Sequence, residues 1–243
     1  MSHKRGQLRV GTSGYQYKHW RGRFYPKDLP QTRWFDFYAE HFDTVEINNT
    51  FYNLPSAETF DAWKEAAPKG FEYVLKFSRY GSHIKRLKEP ENSVNTFLEV
   101  AKRLGTHLGP VLVQLPPRWK ARPDRLADFL ETAPGKVRWA FEFRDAEWLN
   151  EEVFSVLREH GAALCIHDML DEHPRTLTAD WVYLRYHGEH YTGSYSSAFL
   201  RQEASRILDW LAEGRDVYAY FNNDQAGHAV HNAQALRDDI LAS

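Results

Sequence analysis

The chain has 243 residues, of which 42% are hydrophobic and 26% are charged, and its formal net charge is -2. This is the composition of a globular protein, and the balanced charge excludes a strong basic field that would draw the whole molecule to nucleic acid. No apolar run approaches the roughly 20 residues of a membrane span. The basic start MSHKRGQ lacks a signal peptide's apolar stretch, and the single cysteine, Cys165, cannot form an internal disulfide, so we expect a cytoplasmic protein.

Eight short apolar or β-branched runs recur along the chain, and most are followed by an amphipathic stretch. In chain order the runs are QLRVGTSGY, FDTVEINNTFY, FEYVLKFS, GPVLVQLPP, VRWAFEFR, AALCIHD, WVYLRYHG and DVYAYFNND. Strands that alternate with helices predict parallel β/α units. Eight such units, in a chain near the roughly 250 residues typical of the fold, favour an α/β protein with a (β/α)8 TIM barrel. An open nucleotide-binding sheet has little support, because no glycine-rich phosphate motif is present.

The stretches between the runs have the periodicity of helices. They are TRWFDFYAEHF, SAETFDAWKEAA, ENSVNTFLEVAKRLG, RPDRLADFLETA, NEEVFSVLREHG, SSAFLRQEASRILDWLAEG and HAVHNAQALRDDILA. In the third of them, Asn92 or Ser93 is the candidate N-cap and Gly105 the stop. The sixth connection, MLDEHPRTLTAD, has no clear helix. No linker divides the chain, so we expect a flexible tail over residues 1–7 and a single barrel domain over residues 8–243.

Polar side chains collect where the predicted strands end. In WAFEFR, Glu142 and Arg144 share one face of the strand and Phe141 and Phe143 share the other, because side chains alternate with period two. In a β/α barrel the carboxyl ends of the strands carry the chemistry. The polar residues at these ends are Tyr15, Glu46, Lys76, Gln114, Glu142, Arg144, His167, Asp168, Arg185, His187, Asn222, Asn223 and Asp224. Their number predicts a polar cavity rather than a solvated strand face.

Several of these residues also have a simpler interpretation. Glu142 and Arg144 fit a structural ion pair, because buried charges are usually paired. Lys76 fits a solvated strand end, and His167, beside Asp168, fits a hydrogen-bonded structural histidine. These alternatives stay open on the sequence alone.

Six motifs together resemble the domain of unknown function 72 family, also called YecE-like. They are VGTSGYQYKHWRGRFYP, FDTVEINNTFYNLPSAETFDAWKEAAPKGFEYVLKFS, VLVQLPP, AFEFRDAEW, YLRYHGEHYTGSY and YAYFNNDQAGHAVHNAQAL, and they extend over most of the chain. The resemblance implies a single-domain TIM barrel and assigns no reaction. Family members commonly have a Thr-His pair in the loop after the third strand, and Ser82 and His83 stand at the matching place. The resemblance therefore adds His83 to the polar site.

The first functional hypothesis is a hydrolase or lyase that acts on an anionic substrate containing phosphate or sugar. Glu46 or Glu142 would be the general base and His187 the general acid, with Asp168 in the same catalytic set. Basic side chains hold phosphate or carboxylate, and Arg does so with bidentate geometry. The residues assigned to substrate binding are Lys76, Arg144, Arg185, Gln114, Asn222, Asn223, His83 and Tyr15.

Two variants of this hypothesis have weaker support. A divalent metal is possible, but no HxH or HExxH spacing is present, so no metal ligands are assigned and the cofactor stays open. Glu46 and Glu142 come from the second and fifth strands, which lie nearly opposite in a ring of eight. Their separation is then too large for a retaining glycosidase pair.

The second hypothesis is a binding module without catalysis, for nucleic acid or a small anion. The loops KFSRYGSHIKRLKEP and PPRWKARPDR are basic and contain the aromatic residues Tyr80 and Trp119. Such loops can follow a phosphate backbone and stack bases, although they also fit plain solvated loops. The expected partner is therefore a small anionic substrate, with nucleic acid as the alternative and no membrane; the oligomeric state is left open.

Overall fold

The computed structural model describes residues 5–188 and 193–242. Its strands are short and follow the eight predicted runs. They are Leu8–Thr12 (β1), Thr44–Ile47 (β2), Glu72–Lys76 (β3), Leu108–Gln114 (β4), Trp139–Glu142 (β5), Ala163–His167 (β6), Trp181–Tyr186 (β7) and Asp216–Phe221 (β8). Every strand pairing found between them is parallel.

Helices follow most of the strands. They are Trp34–His41 (α1), Asn49–Tyr52 (α2), Ala57–Ala66 (α3), Pro90–Ala101 (α4), Pro123–Thr132 (α5), Glu151–Glu159 (α6), Ser197–Ala212 (α7) and His228–Leu241 (α8). The connection from β6 to β7 contains no helix, as its sequence predicts. A π-helix, Tyr80–Ile84, follows β3. In the described parts of the chain no helix is long and apolar enough to cross a membrane.

The predicted fold class, a (β/α)8 barrel, is confirmed by eight parallel strands that alternate with helices. The contacts that residues make in space divide the chain into two compact units. The first unit contains residues 1–46 and 181–243, and the second contains residues 47–180.

The first unit is built around β1, β7 and β8. β8 pairs with both β1 and β7, and an isolated bridge joins Ser13, after β1, to Glu46 in β2. Arg185 of β7 lies opposite Tyr220 of β8. α8 packs against β1 and α7. Because parallel strands end at one edge of a sheet, this pairing brings the carboxyl ends of β1, β2 and β7 together within the unit.

The second unit contains the consecutive parallel strands β3 to β6. Val111, Leu112 and Val113 of β4 are all completely buried, as expected for a parallel strand that is covered on both faces. Gln114 at the end of β4 lies opposite Glu142 at the end of β5. The register therefore places two polar side chains at the same level of the sheet edge.

One predicted helix start is wrong. α4 begins at Pro90, with Glu89 as its N-cap, so Asn92 and Ser93 lie inside the first turn and do not cap it. Proline is favoured at the first helical position because its fixed φ suits the helix and its missing N–H would have no partner there. The Ser93 hydroxyl instead donates to the Pro90 carbonyl at 3.0 Å. The α-helix ends at Ala101 and continues as a 3-10 helix from Lys102, and the backbone leaves helical geometry at Gly105, the predicted stop, where φ is 57°.

Candidate functional site

Two groups of polar side chains lie at the carboxyl ends of the strands, one in each unit. We call Ser13, Glu46, Tyr183, Arg185 and His187 the Glu46 cluster. The second group, the His83 cluster, contains Lys76, Ser82, His83, Glu142 and Arg144.

Glu46 is completely buried, and donors from the same unit bind both of its carboxylate oxygens. Oε1 accepts from Arg185 Nη2 at 2.7 Å and from the Ser13 hydroxyl. Oε2 accepts from the Tyr183 hydroxyl at 2.6 Å. Burial raises the pKa of Tyr183 well above its usual value, so the phenol keeps its proton and remains a donor. The carboxylate charge is thus balanced by the buried Arg185 guanidinium.

Arg185 links this carboxylate to His187. Its Nη1 lies 3.2 Å from His187 Nε2, and its Nη2 also donates to Ser13 Oγ at 3.2 Å. A guanidinium can only donate, so His187 Nε2 accepts and the neutral ring carries its proton on Nδ1. His187 is completely buried. The structure thus brings together three residues predicted for the site, Glu46, Arg185 and His187, in one hydrogen-bonded network.

Three further predicted residues of this unit lie in other surroundings. Tyr15 packs edge-on against Phe35, and its hydroxyl accepts from Gln16. Asn222 is half-buried, and its backbone N–H donates to the Tyr186 carbonyl at 2.7 Å. Asn223 is buried and donates through Nδ2 to Gly193 O at 2.8 Å and Asn232 Oδ1 at 2.9 Å. Asn223, which follows β8, therefore contacts both the segment after β7 and α8 through hydrogen bonds.

The π-helix positions His83. The Lys85 N–H bonds the Tyr80 carbonyl at 2.8 Å, which closes the wide turn, and π-turns of this kind are frequent at functional sites. Ser82 Oγ donates to the Ser78 carbonyl at 2.8 Å and lies 3.0 Å from His83 Nδ1. Because the one hydroxyl proton of Ser82 is used for Ser78, Nδ1 of His83 donates to Ser82. The lone pair of the neutral ring is then on Nε2.

Basic side chains dominate the surroundings of His83. The pKa of His83 is lowered from 6.5 to about 4, with burial as the larger cause and nearby positive charge as the smaller one. The charges that act on it belong to Lys76, Arg79, Arg144 and Arg86. The imidazole is therefore neutral at neutral pH, in a positive field that favours an anion.

Lys76 lies beside the same aromatic ring as His83. Its Nζ is 4.8 Å from the centroid of the Phe51 ring, and the His83 ring contacts Phe51 edge-on at 5.0 Å. Only 8% of Lys76 is exposed, so the predicted alternative of a solvated strand end is wrong. Thr50 holds the strand end by donating to the Lys76 carbonyl at 2.7 Å.

Glu142 and Arg144 form an ion pair. Glu142 is completely buried, and its Oε1 accepts from Arg144 Nε. The Cys165 thiol lies 4.0 Å from Glu142 Oε2. Gln114, opposite Glu142 in the register, is half-buried. The predicted ion pair between Glu142 and Arg144 is thus confirmed. Arg144 also lies close enough to His83 to lower the pKa of that histidine.

His167 and Asp168 differ in their surroundings. His167 donates from Nε2 to the Phe143 carbonyl at 2.8 Å, and its Nδ1 accepts the Met169 N–H at 3.1 Å. Both ring nitrogens of His167 are hydrogen-bonded to the backbone, as predicted for a structural histidine. Burial is the main cause that lowers its pKa to about 4. Asp168, predicted to be catalytic, is exposed to solvent.

Two residues that take part in these clusters, Tyr183 and Phe51, were not identified from the sequence. Tyr183 lies two residues before Arg185, so period-two alternation along β7 could have placed both on one face. Phe51 gave no such signal, because its role depends on a contact with Lys76 across 25 positions of the chain. No three His, Cys, Asp or Glu side chains within residues 5–188 and 193–242 come together as metal ligands.

The basic loops are partly neutralised by neighbouring acids. Lys85 pairs with Glu89 at 2.9 Å, and Arg122 with Asp124 at 2.6 Å. Trp119 is only 7% exposed, with the guanidinium of Arg125 over its ring. These contacts leave less free charge and less stacking surface than the sequence pattern suggests, so nucleic-acid binding by these loops stays an untested prediction.

Comparison with known proteins gives a consistent result. The family described as "Protein of unknown function DUF72" matches residues 9–242. The chain is 32% identical over 112 residues to the UPF0759 protein YecE of Escherichia coli K12, an alignment that covers 46% of this chain but only 41% of YecE. It is 22% identical to the UPF0759 protein YunF of Bacillus subtilis, over 87% of this chain and 88% of YunF.

A solved structure supports the same assignment. A DUF72 family protein from Thermotoga maritima superposes with a TM-score of 0.88 at 26% identity, over 98% of this chain and all of that one. A second, from Enterococcus faecalis, gives a TM-score of 0.83 at 19% identity and supports the fold alone. On the family match over residues 9–242, the chain belongs to the DUF72 family.

Proposed function

We propose that the protein is an enzyme, a hydrolase or lyase, that binds a phosphate-bearing anionic substrate at the His83 cluster and transfers a proton through His83. One observation carries the proposal: the ring of His83, held by Ser82 through Nδ1, lies with Lys76 against Phe51. A proton acceptor and a buried ammonium group thus share one small site.

The charges suit a substrate that arrives as an anion. Lys76 and Arg144 would hold its phosphate, and Glu142 would keep the Arg144 guanidinium in place. A bound phosphate would offset the positive field that lowers the pKa of His83. Binding would therefore raise that pKa toward the range in which His83 can accept a proton and return it.

The Glu46 cluster fits a supporting role better than a catalytic one. Both oxygens of Glu46 already accept hydrogen bonds, and its charge is balanced by Arg185. A general base needs an oxygen or nitrogen that can reach the substrate proton. In the His83 cluster, Nε2 of His83 makes no hydrogen bond to the described parts of the chain and meets that need.

The test is turnover of a panel of phosphate monoesters, followed by ³¹P NMR, by the wild-type protein and by His83→Gln. We expect the wild type to convert at least one ester. Because general acid–base catalysis contributes roughly 10² to 10⁴ in rate, His83→Gln should lower kcat by that factor with little change in KM. Lys76→Met should instead raise KM, since it removes a phosphate contact.

Lys69→Met is the matched control, because Lys69 is an exposed lysine before the start of β3 whereas Lys76 is its last residue. Its kinetics should equal those of the wild type. Histidine NMR provides a second measurement that does not depend on choosing the right ester. If inorganic phosphate leaves the His83 pKa unchanged and no ester is converted, the proposal is wrong.

A further inference from the structure

A groove in the second unit opens beside the His83 cluster. Its volume is about 540 Å³, within the range of roughly 300–1,000 Å³ that is usual for small-molecule sites. Phe51 and Tyr52 come from α2, Tyr80 and Ile84 come from the π-helix, and Phe97 comes from α4.

Exposed apolar side chains are concentrated in this groove. Of the four large hydrophobic residues that are exposed in the described parts of the chain, three line it: Tyr52, Tyr80 and Ile84, with 72%, 51% and 67% exposure. The fourth, Leu241, lies at the end of α8. Apolar surface left open to water in one patch is typical of a binding site.

The side chains that line the groove carry positive charge. They include the arginine Arg79 and no aspartate or glutamate. Arg79 forms no ion pair within residues 5–188 and 193–242. The amide and hydroxyl groups of Asn53, Asn92 and Thr96 add hydrogen-bonding capacity at exposed positions. A ligand that fits must therefore combine an apolar surface, polar edges and negative charge.

The groove and the His83 cluster share residues. Phe51 lines the groove and also contacts Lys76 and His83. Arg79 lines the groove and is one of the cations that act on His83. A ligand with its anionic group at the cluster would therefore have its other end beside Tyr52 and Tyr80.

We infer that the groove binds the base of a nucleotide whose phosphate occupies the His83 cluster. A nucleobase is flat, stacks on aromatic rings and presents polar edges to amides and hydroxyls, whereas a sugar phosphate has no such flat apolar surface. The inference rests on the proposed function, because it assigns the phosphate to the same site. It names the substrate class: a nucleoside phosphate of single-nucleotide size.

The experiment measures the affinity of the 243-residue protein for adenosine monophosphate, ribose 5-phosphate and adenosine by isothermal titration calorimetry. We expect the nucleotide to bind at least tenfold more tightly than ribose 5-phosphate, because the base adds stacking contacts, and more tightly than adenosine, because the phosphate adds charge. In Tyr52→Ser and Tyr80→Ser the ratio of nucleotide to ribose 5-phosphate affinity should fall toward one.

Leu241→Ser is the matched control, since Leu241 is as exposed as Tyr52 and lies outside the groove. It should keep the wild-type ratio. If ribose 5-phosphate binds as tightly as the nucleotide, the inference fails and the proposed function stands. If neither phosphate binds, both fail. A single-stranded oligonucleotide that binds a hundredfold more tightly, with steep salt dependence, would assign the groove to nucleic acid and overturn the inference.

Discussion

Arg185 is a buried charge that forms an ion pair with the Glu46 carboxylate. It is 1% exposed and lies 2.7 Å from Glu46 Oε1. A buried ion pair contributes little to net stability, but removal of one partner leaves the other charge unbalanced in a medium that solvates it poorly. Loss of Glu46 should therefore destabilise the first unit more than loss of one partner in an exposed ion pair at its surface.

Glu46→Gln should lower the free energy of unfolding by roughly 3–5 kcal/mol, because it removes the carboxylate charge that pairs with the buried Arg185 guanidinium. Urea denaturation at pH 7 measures the loss. The double variant Glu46→Gln with Arg185→Met removes both charges and should recover part of it. A single variant that is as stable as the wild type would show that the pair lies in better-solvated surroundings than its burial indicates.

Individual residues of the site could be predicted to different degrees. Glu46, Arg185 and His187 were identifiable from the sequence, because each is a polar residue at a predicted strand end, and the structure joins them. Strand position alone does not specify solvent access, so Asp168 was assigned to the same set although its side chain is exposed. His83 was identifiable only through the family resemblance, because it lies in the π-helix after β3, where no strand register places it.

The segment after β3 is unusual as an element. The π-helix Tyr80–Ile84 is followed by three non-glycine residues with positive φ: Arg86 at 51°, Leu87 at 60° and Glu89 at 45°. L-residues pay roughly 1–2 kcal/mol for a left-handed conformation, and such strain is often retained at functional sites. The segment that carries His83 is thus held in a costly conformation.

Glu89→Gly should raise the free energy of unfolding by about 1 kcal/mol. Glycine adopts φ 45° without a Cβ clash, and the exposed Lys85–Glu89 pair that is lost contributes little. Thermal denaturation would show the gain as a higher Tm.

Glu91→Gly is the control, because Glu91 is exposed in the first turn of α4 with ordinary helical geometry. There glycine should destabilise by up to about 1 kcal/mol. Equal effects of the two substitutions would mean that the conformation at Glu89 stores no strain. No hydrophobic period marks this segment, which is why the sequence predicted neither the π-helix nor the start of α4.

On the scale of the whole molecule, several histidines are held neutral by the fold. The pKa of His83 and of His167 is lowered from 6.5 to about 4, and burial also lowers the pKa of His173. In the unfolded chain these rings take up protons as the pH falls through about 6.5, whereas in the folded protein His83 and His167 resist protonation until about pH 4. The unfolded state therefore binds more protons in this window, and stability falls on acidification.

The free energy of unfolding should decrease from pH 6.5 toward pH 4, by up to roughly 1.4 kcal/mol per pH unit for each fully shifted histidine. His167→Gln isolates one of them. At pH 7 it should cost about 1–3 kcal/mol, because the Met169 N–H loses its acceptor.

The difference between His167→Gln and the wild type should then shrink as the pH falls, since the variant has no imidazole to protonate. Urea denaturation at pH 7, 6 and 5 measures this difference, and carboxylates common to both proteins cancel. A difference that is constant across the three pH values would contradict a lowered pKa for His167.

The fold class was predictable from the sequence to a greater extent than the site. All eight strands coincide with the predicted apolar runs, because a strand covered on both faces must be apolar along its length. The site instead depends on contacts between distant residues, such as Tyr183 with Glu46 and Lys76 with Phe51. Neither pair leaves a local pattern in the chain.

The buried position of Cys165 has a practical consequence for labelling chemistry. It is the only cysteine in the chain, and its thiol is buried 4.0 Å from Glu142 Oε2, out of reach of reagents in solution. A maleimide dye should therefore leave the native protein unmodified. A cysteine introduced at an exposed groove position such as Ile84 would be the single attachment point for a fluorophore, with no need to remove the native thiol.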